Sequence, residues 1–154
     1  LEKAGMRAAV GFTVVKGLKE VTQEVIAQAP LIEWLFTGPE WGGCNQLHNL
    51  KNGWIGVAGH KACSEERGGQ RHLHYYNIAF AIHPDTRQVT PVKMIGARDC
   101  FADGPAKRPT LKDVCFTSGV VRNADGTATL YTGLSDAAAG AVEIEDPFLE
   151  YEAL

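Results

Sequence analysis

The feature that most limits how this chain can fold is a series of short β-prone runs separated by glycine, proline and Asn-Gly or Asp-Gly turns. The series begins at Gly42 and continues to Phe148. Asn52-Gly53 and Asp125-Gly126 are its clearest turns, because such pairs adopt the backbone angles that tight hairpins require. The runs are not separated by crossover helices. The pattern therefore predicts an all-β fold of antiparallel strands.

Alternation of side-chain type locates the individual strands. It is clearest at residues 72–82, where Ile78 and Phe80 fall on one face and Asn77 on the other. Residues 18–28 have helical spacing instead, and Pro30 ends that segment. Strands are predicted at residues 7–15, 31–36, 43–48, 54–59, 72–82, 92–98, 113–121, 128–134 and 141–145.

The strand pattern occurs twice along the chain. Each repeat is a meander of three or four strands with a hairpin turn between its first two, and Cys44 and Cys115 hold comparable first-strand positions. The glycine-rich residues 53–59 suit close approach of one sheet to another. A sandwich and a barrel share the short strands, but the repeat favours a β-propeller, whose blades are four-stranded.

The strands are too few to close a propeller. Residues 1–37 correspond to the end of one blade, residues 42–98 to a complete blade and residues 113–154 to most of another. These amount to about two and a half blades, whereas four to eight are needed to close a ring. The whole chain is therefore interpreted as one partial β-propeller domain. Its first residue, Leu1, is compatible with a piece of a longer protein.

Composition and charge disfavour several classes of protein. The net charge of −3 over 154 residues gives no electrostatic reason to expect nucleic acid or an anionic membrane as partner. No apolar run approaches the ~20 residues that span a bilayer, and the chain does not start like a signal peptide. The cysteines lack CxxC spacing, which indicates free thiols and a cytoplasmic location. They are Cys44, Cys63, Cys100 and Cys115.

Several stretches together resemble one family, the domain of unknown function 1861, a five-bladed propeller family related in fold to β-mannoside phosphorylases and glycosidases. They cover most of residues 40–148 in family order. The resemblance implies that a full member is about twice this length and that this chain corresponds to its C-terminal half. The matching stretches are residues 40–48, 52–60, 74–76, 104–109, 111–114, 130–136 and 146–148.

Neutral polar side chains on or beside the first complete blade are candidates for binding sugar hydroxyl groups. Asn45, His48 and His60 supply both donors and acceptors. Alternatively, they satisfy neighbouring backbone groups. His72 and His74 point to the same side of a strand and would need a third ligand to bind a metal. No such ligand is evident, so no metal site is predicted.

The basic candidates are Arg98, Lys107 and Arg108. Arginine offers a bidentate fork and lysine a point charge, both suited to phosphate or a sugar carboxylate. The resemblance to the phosphorylases implies that this cluster holds the attacking phosphate. Alternatively, the segment is a solvated loop in which Arg98 pairs with Asp99 or Asp113.

The candidate catalytic carboxylates are Asp113 and Asp136. Glycoside cleavage needs a carboxyl proton donor together with a second carboxylate or an external nucleophile. The resemblance implies that the proton donor comes from an earlier blade and is absent here, so both residues would bind substrate or assist. Turn chemistry at strand ends is the alternative for each. Trp41 and Tyr131 are candidate platforms for a sugar ring, although most propeller aromatics fill space between blades.

The sequence therefore predicts a carbohydrate-active enzyme, either a hydrolase or a phosphorylase, with a small sugar as substrate, for which a mannoside is one candidate. No cofactor is expected beyond inorganic phosphate as a co-substrate. The expected macromolecular partner is the remainder of the propeller, in the same or another chain. The alternatives are a non-catalytic module that binds a glycan or protein, and a purely structural half-propeller.

Overall fold

The computed structural model describes residues 8–154. These residues form an all-β fold with one short helix, α1 (Gln23–Ala27), and short 3-10 turns at Leu18–Glu20, Arg98–Cys100, Pro109–Leu111 and Tyr151–Ala153. No helix among them is long and apolar enough to cross a membrane. The strands are β1 (Trp41–Asn49), β2 (Ile55–Arg67), β3 (Gln70–Ile82), β4 (Lys93–Gly96), β5 (Asp113–Arg122), β6 (Thr127–Leu134) and β7 (Ala138–Glu145).

The strands form one open seven-stranded sheet with the order β1-β2-β3-β5-β6-β7, and β4 also pairs with β3. Strands β1–β4 are an antiparallel meander, called here the first unit, and β5–β7 are a second meander, the second unit. The units join through a short parallel pairing of His74 with Asp113 and Tyr75 with Val114. The predicted pair of meanders is thus present, and the second lacks a fourth strand among the described residues.

The repeat is visible in the irregularities of the two first strands. Strand β1 has a bulge at Asn45, and β5 has one at Ser118. The offset between the bulges equals the offset between the strand ends, Asn49 and Arg122. It is two residues longer than the offset between Cys44 and Cys115, so the two cysteines are not equivalent positions. A bulge re-aims the side chain it carries, which is why Asn45 leaves the regular alternation.

Two apolar cores lie on opposite faces of β2 and β3. One lies between the two units and includes Ala58, Ala79, Leu130 and Phe148. The other lies between the first unit and the N-terminal segment and includes Val10, Leu35, Val57, Ile78 and Phe80. Because both faces are covered, every residue of β3 from Asn77 to Ile82 is buried, whatever its position in the alternation.

A buried polar network fixes how the two units pack. The side-chain amide of Asn77 donates to Thr117 Oγ1 at 2.8 Å and to Thr132 Oγ1 at 3.1 Å. Both hydroxyls donate onward to backbone carbonyls, those of Gly59 and Phe116 respectively. Each hydroxyl donates its single proton to a backbone carbonyl, so towards Asn77 it can act only as an acceptor. The Asn77 amide must therefore turn its NH₂ group towards both hydroxyls.

The N-terminal segment differs from the prediction. The strands predicted at residues 31–36 and at 7–15, of which residue 7 lies outside the described residues, are not formed. The described part has only an isolated bridge between Gly11 and Leu31. The segment covers β2 and β3, whose backbone groups already pair within the sheet, so it contributes side chains such as Leu35 rather than ladder hydrogen bonds. The helix predicted over 18–28 is present as α1, preceded by a 3-10 turn.

Strands β2 and β3 extend well beyond β1. The β1 pairing ends where Trp41 meets Ala62, but β2 and β3 continue to pair with each other as far as Arg67 and Gln70. The two-residue turn between them, Gly68-Gly69, has positive φ at both positions, as tight hairpin turns of this length require. Residues 63–73 therefore form a projecting hairpin, called here the arm.

Candidate functional site

A cavity of about 880 Å³ opens between the arm and the segment that leads into β5. The arm contributes Arg67 and His72 to its lining, and the opposite wall includes Asp99 and Asp103. Asp113 also lines it. The cavity volume falls within the range that small-molecule sites occupy in proteins. This makes the cavity the first place to look for a substrate.

Asp113 reaches the cavity because it is the first residue of β5 and lies opposite His74 in the parallel pairing. Its Oδ2 lies 2.6 Å from His74 Nδ1. The Asp113 side chain remains 40% exposed, so a ligand can contact it. Burial, assisted by the negative charge of Asp113, raises the pKa of the neighbouring Tyr76, which also lines the cavity. A carboxylate, an imidazole and a protonated phenol thus meet on one wall.

Ser135 connects the segments beneath this wall, although sequence reasoning did not single it out. It is buried in the β6–β7 turn, where Ser135 and Asp136 both have positive φ. Its Oγ accepts from Arg98 Nε at 3.2 Å and donates to the Lys112 carbonyl at 2.8 Å. Its amide donates to the Val114 carbonyl at 2.8 Å. A serine in a turn gives no sequence signal for this role, which depends on segments distant along the chain.

Arg98 lines the cavity, but several of its N–H groups are already hydrogen-bonded to other parts of the protein. Its side chain donates to Ser135 Oγ and, through Nη1, to the carbonyls of Phe101 at 3.3 Å and Ala102 at 3.0 Å. The residue is only 9% exposed. The ion pairs with Asp99 or Asp113 considered as an alternative are not among its contacts. Arg98 therefore anchors the loop while one side of its guanidinium faces the cavity.

Lys107 and Asp136 lie together beside this loop. Lys107 Nζ is 3.8 Å from Asp136 Oδ2, and the Lys107 amide donates to the Ser135 carbonyl at 3.0 Å. Both side chains are more than half exposed. Arg108 is also exposed and precedes the 3-10 turn Pro109–Leu111. None of these three residues lines the cavity as the described residues bound it.

Three further candidates, Trp41, His60 and Asn45, lie close together. Trp41 and His60 form an aromatic cluster with Tyr75 and Phe116, and Asn45 contacts His60. His60 Nδ1 donates to Asn45 Oδ1 at 2.8 Å, because an amide oxygen can only accept. The His60 ring stacks on Tyr75 at 5.6 Å between centroids and lies 4.6 Å from Phe116. Trp41 Nε1 donates to Tyr75 Oη at 3.3 Å. Burial lowers the pKa of His60, which favours the neutral ring.

The remaining candidates lie elsewhere. The His48 ring packs on Phe148 at 4.6 Å between centroids, at the end of β1 distant in sequence from Trp41. Burial, with the adjacent Arg122 charge, lowers the pKa of His48. Tyr131 is 46% exposed on the face of β6 directed away from the first unit. The structure therefore divides the predicted residues among a cavity, its border, an aromatic cluster and two isolated positions.

The described residues contain no group of three or more His, Cys, Asp or Glu side chains arranged to hold a metal ion. His74, considered above as a metal ligand, instead contacts two carboxylates, Asp113 and, at 3.6 Å from Nε2, Glu65. The four cysteines are free thiols.

Comparisons with known proteins agree with the resemblance noted from the sequence. A family model described as "Protein of unknown function (DUF1861)" matches residues 2–150. No curated protein matches the chain. Solved structures do match it, and three of them have TM-scores between 0.79 and 0.88.

A mannose phosphorylase from Leishmania mexicana, solved with a phosphate ion, is 34% identical at a TM-score of 0.88, over 97% of this chain and 47% of its own. A GDP-Man-dependent mannosyltransferase from the same organism is 33% identical at 0.85, over 92% and 46%. A hypothetical protein from Leishmania major is 37% identical at 0.79, over 92% and 45%. The chain thus spans about half the length of the proteins it matches.

Proposed function

Because this chain belongs to the DUF1861 family, we propose that it forms about half of a five-bladed β-propeller that cleaves a glycosidic bond of a mannoside, with inorganic phosphate as the acceptor. The observation that carries the proposal is the position of Asp113. It lies in a cavity of about 880 Å³, on a chain that is 34% identical to a mannose phosphorylase over 97% of its length.

The architecture supports the propeller. The two units repeat the same bulge and hairpin, and they pack through a buried core as successive blades do. The sheet is open, and the solved relatives are about twice as long. The remaining blades, in the same or another chain, would close the ring. The boundaries proposed are residues 1–37 for the end of one blade, 42–98 for a complete blade and 113–154 for most of another.

In the proposed reaction, this chain supplies the residues that bind the sugar and the phosphate, and the remaining blades supply the proton donor. Asp113 contacts the sugar and supports the reacting centre. Asn45, His60 and Trp41 lie outside the cavity and bind hydroxyl groups and a sugar face in a neighbouring part of the substrate. Phosphate supplies the nucleophile, so no second nucleophilic carboxylate is needed. Lys107 and Arg108, exposed beside the cavity, attract the phosphate. The proton donor lies in the remaining blades.

A second candidate is a non-catalytic module that binds a glycan. The aromatic cluster favours it, since Phe116 is 43% exposed beside Tyr75 and His60 and offers a stacking surface outside the cavity. Sugar-binding surfaces of this kind combine an aromatic face with neutral polar groups, here Asn45. Under this proposal the cavity carries no reaction.

The deciding experiment incubates the longest natural protein containing this chain with a panel of β-mannosides, with and without inorganic phosphate, and identifies products by mass spectrometry. Sugar 1-phosphate formed only with phosphate supports the phosphorylase. Free sugar released both with and without phosphate would mean that the protein is a hydrolase and not a phosphorylase. No turnover across the panel favours the binding module, for which a glycan array is the next measurement. The matched variant Asp113→Asn should lower kcat about 100-fold, to a rate that is still measurable, while the protein stays folded.

Two further elements belong to the proposal. The sugar substrate is small, and neither nucleic acid nor a membrane is a partner. We also place the protein in the cytoplasm, because all four cysteines are free thiols and a reducing compartment would keep them so.

A further inference from the structure

The arm and Asp113 are connected through one imidazole. His74 lies immediately after the arm, and its two ring nitrogens face two carboxylates. Nδ1 is 2.6 Å from Asp113 Oδ2, and Nε2 is 3.6 Å from Glu65 Oε1, which belongs to the arm. Glu65 is in turn paired with Arg67, which lines the cavity. The contacts therefore run without interruption from the tip of the arm to the first residue of β5.

The direction of the first hydrogen bond follows from the chemistry of its partners. An ionised carboxylate can only accept, so Nδ1 carries the proton and donates it to Asp113. This occupies one carboxylate oxygen of Asp113. The Asp113 side chain also interacts with Tyr76 and remains 40% exposed, so a ligand can still contact it. Hydrogen bonds between a charged acceptor and a ring donor are shorter and stronger than neutral ones, which suits the observed 2.6 Å.

Asp113 benefits from such a support because it lies at the very start of a strand, although the Tyr76 side chain also contacts it. It is the first residue of β5, it follows a long loop, and only two register pairs join β5 to β3 at that point. Its side chain is 40% exposed, so packing alone does not determine its orientation. By comparison, His74 is only 21% exposed and is therefore the better-fixed member of the pair.

We infer that His74 is a positioning residue for Asp113, with Glu65 as a longer contact 3.6 Å from its other ring nitrogen, so that the arm influences the orientation of the carboxylate in the cavity. The inference rests on the proposed function to the extent that Asp113 acts on substrate. It differs from a purely structural role, in which the hydrogen bond only ties β3 to β5. A positioning role affects turnover far more than stability, since misorientation of a reacting group by about 1 Å costs about 100-fold in rate.

The test compares two replacements of His74 in the longest natural protein containing this chain. His74→Asn keeps an N–H donor close to the position of Nδ1 and removes the ring, whereas His74→Phe keeps a ring and removes both nitrogens. We expect His74→Phe to lower kcat about 100-fold with KM changed less than about threefold, and His74→Asn to restore most of kcat. Glu65→Gln should lower kcat by a smaller factor, about threefold to tenfold.

The control is His83→Asn, since His83 lies in a turn outside the cavity, where its ring accepts from the amides of Asp85 and Thr86 and contacts Trp54. It should leave kcat unchanged. The double variant His74→Phe with Asp113→Asn should be no slower than Asp113→Asn alone, because the two residues act as one unit. Equal losses in His74→Asn and His74→Phe, or losses additive with Asp113→Asn, would overturn the inference.

A separate measurement distinguishes failure of this inference from failure of the proposed function. If the wild-type protein turns over no mannoside, the wild type, His74→Phe, Asp113→Asn and the double variant enter a thermal-unfolding cycle that needs no substrate. Shifts in Tm for His74→Phe and Asp113→Asn that sum to more than the shift of the double variant demonstrate the contact. Strictly additive shifts refute it, whatever the protein's substrate is.

Discussion

Ser135 is a small side chain on which several larger ones depend. Replacing it with alanine removes the acceptor of the Arg98 Nε–H and the donor to the Lys112 carbonyl. Leaving a buried charged donor unpaired is costly, so we expect Ser135→Ala to lower the free energy of unfolding by about 2–3 kcal/mol. Urea unfolding of the longest natural protein measures the change.

Ser118→Ala is the matched control for this prediction. Ser118 is the bulged residue of β5, and its side chain is exposed. Its replacement should therefore change the free energy of unfolding by no more than about 0.5 kcal/mol. Equal effects of the two substitutions would mean that Ser135 does not hold Arg98 in place.

Stability should depend on pH through His48 and His60. Burial lowers the pKa of both rings in the folded protein, and the Arg122 charge adds to this at His48. As pH falls below about 6.5, the unfolded chain takes up protons that the folded protein resists, so stability present above pH 6.5 is lost as the pH falls through the lowered pKa values. Chemical denaturation at several pH values between 7.5 and 5 measures this.

The variant His48→Phe separates the two contributions. Phenylalanine preserves the ring packing on Phe148 and cannot be protonated. It also removes a buried nitrogen, Nε2, for which residues 8–154 provide no hydrogen-bond partner. We expect a shallower loss of stability below pH 6.5 than in the wild type. An identical pH dependence in the variant would show that His48 does not contribute.

Between elements, the pairing of β1 with β2 depends on glycine at one point of close approach. A Cβ added at Gly59 would meet the backbone carbonyl of Gly43, which belongs to the facing strand and cannot rotate away. The Gly59 carbonyl also accepts from Thr117 and so links the two units. We expect Gly59→Ala to lower the free energy of unfolding by about 2–4 kcal/mol.

Gly17→Ala is the control, because nothing lies within 4 Å of the added Cβ and the backbone there is extended. It should be neutral or slightly stabilising, since alanine restricts the unfolded chain. Thermal unfolding of both variants decides the matter, and a Gly59→Ala protein as stable as the wild type would contradict the close approach of β1 and β2.

The strands of the two units could be predicted because turn residues and side-chain alternation identify them from short stretches of sequence. The turn at Asn52-Gly53 and the alternation in residues 72–82 each specify a hairpin or strand without reference to the rest of the chain. The prediction of N-terminal strands was wrong. Residues 31–36 have a strand-like composition, but no neighbouring strand in the described part of the chain has free backbone groups with which they could pair. Strand β2 also extends further than the predicted residues 54–59. Residues 63–67 resemble a polar loop in sequence, and only pairing with the facing strand β3 holds them in a strand.

The candidate site was harder to predict because it is assembled from distant segments. Asp113 could be selected as a carboxylate at the start of a strand, but its partner His74 became apparent only from the parallel pairing of β3 with β5. Similarly, Arg98 is a residue type that often binds anionic ligands, yet its guanidinium is hydrogen-bonded to Ser135 and to backbone carbonyls and therefore stabilises the fold. Residue type predicts what a side chain can do, whereas its neighbours determine what it does.

At the scale of the whole molecule, the two units are covered unequally. The first unit has an apolar core on each face, whereas the outward face of the second exposes Val121 and Tyr131. At the other end of the chain, Leu18 is 91% exposed. Burying each such side chain is worth about 1.5–3 kcal/mol, so a closed propeller would gain several times this by covering both ends.

We therefore expect the isolated chain to associate or aggregate, as measured by size-exclusion chromatography with light scattering. Val121→Glu and Tyr131→Glu should reduce this association, because they place charge on the open face. In the longest natural protein the same substitutions should lower Tm, since in the proposed propeller the remaining blades would bury that face. Met94→Glu, on β4 and 57% exposed, is the control and should leave Tm unchanged there. A stable monomer of the isolated chain would mean that the second unit needs no cover, and the half-propeller would then be a complete fold.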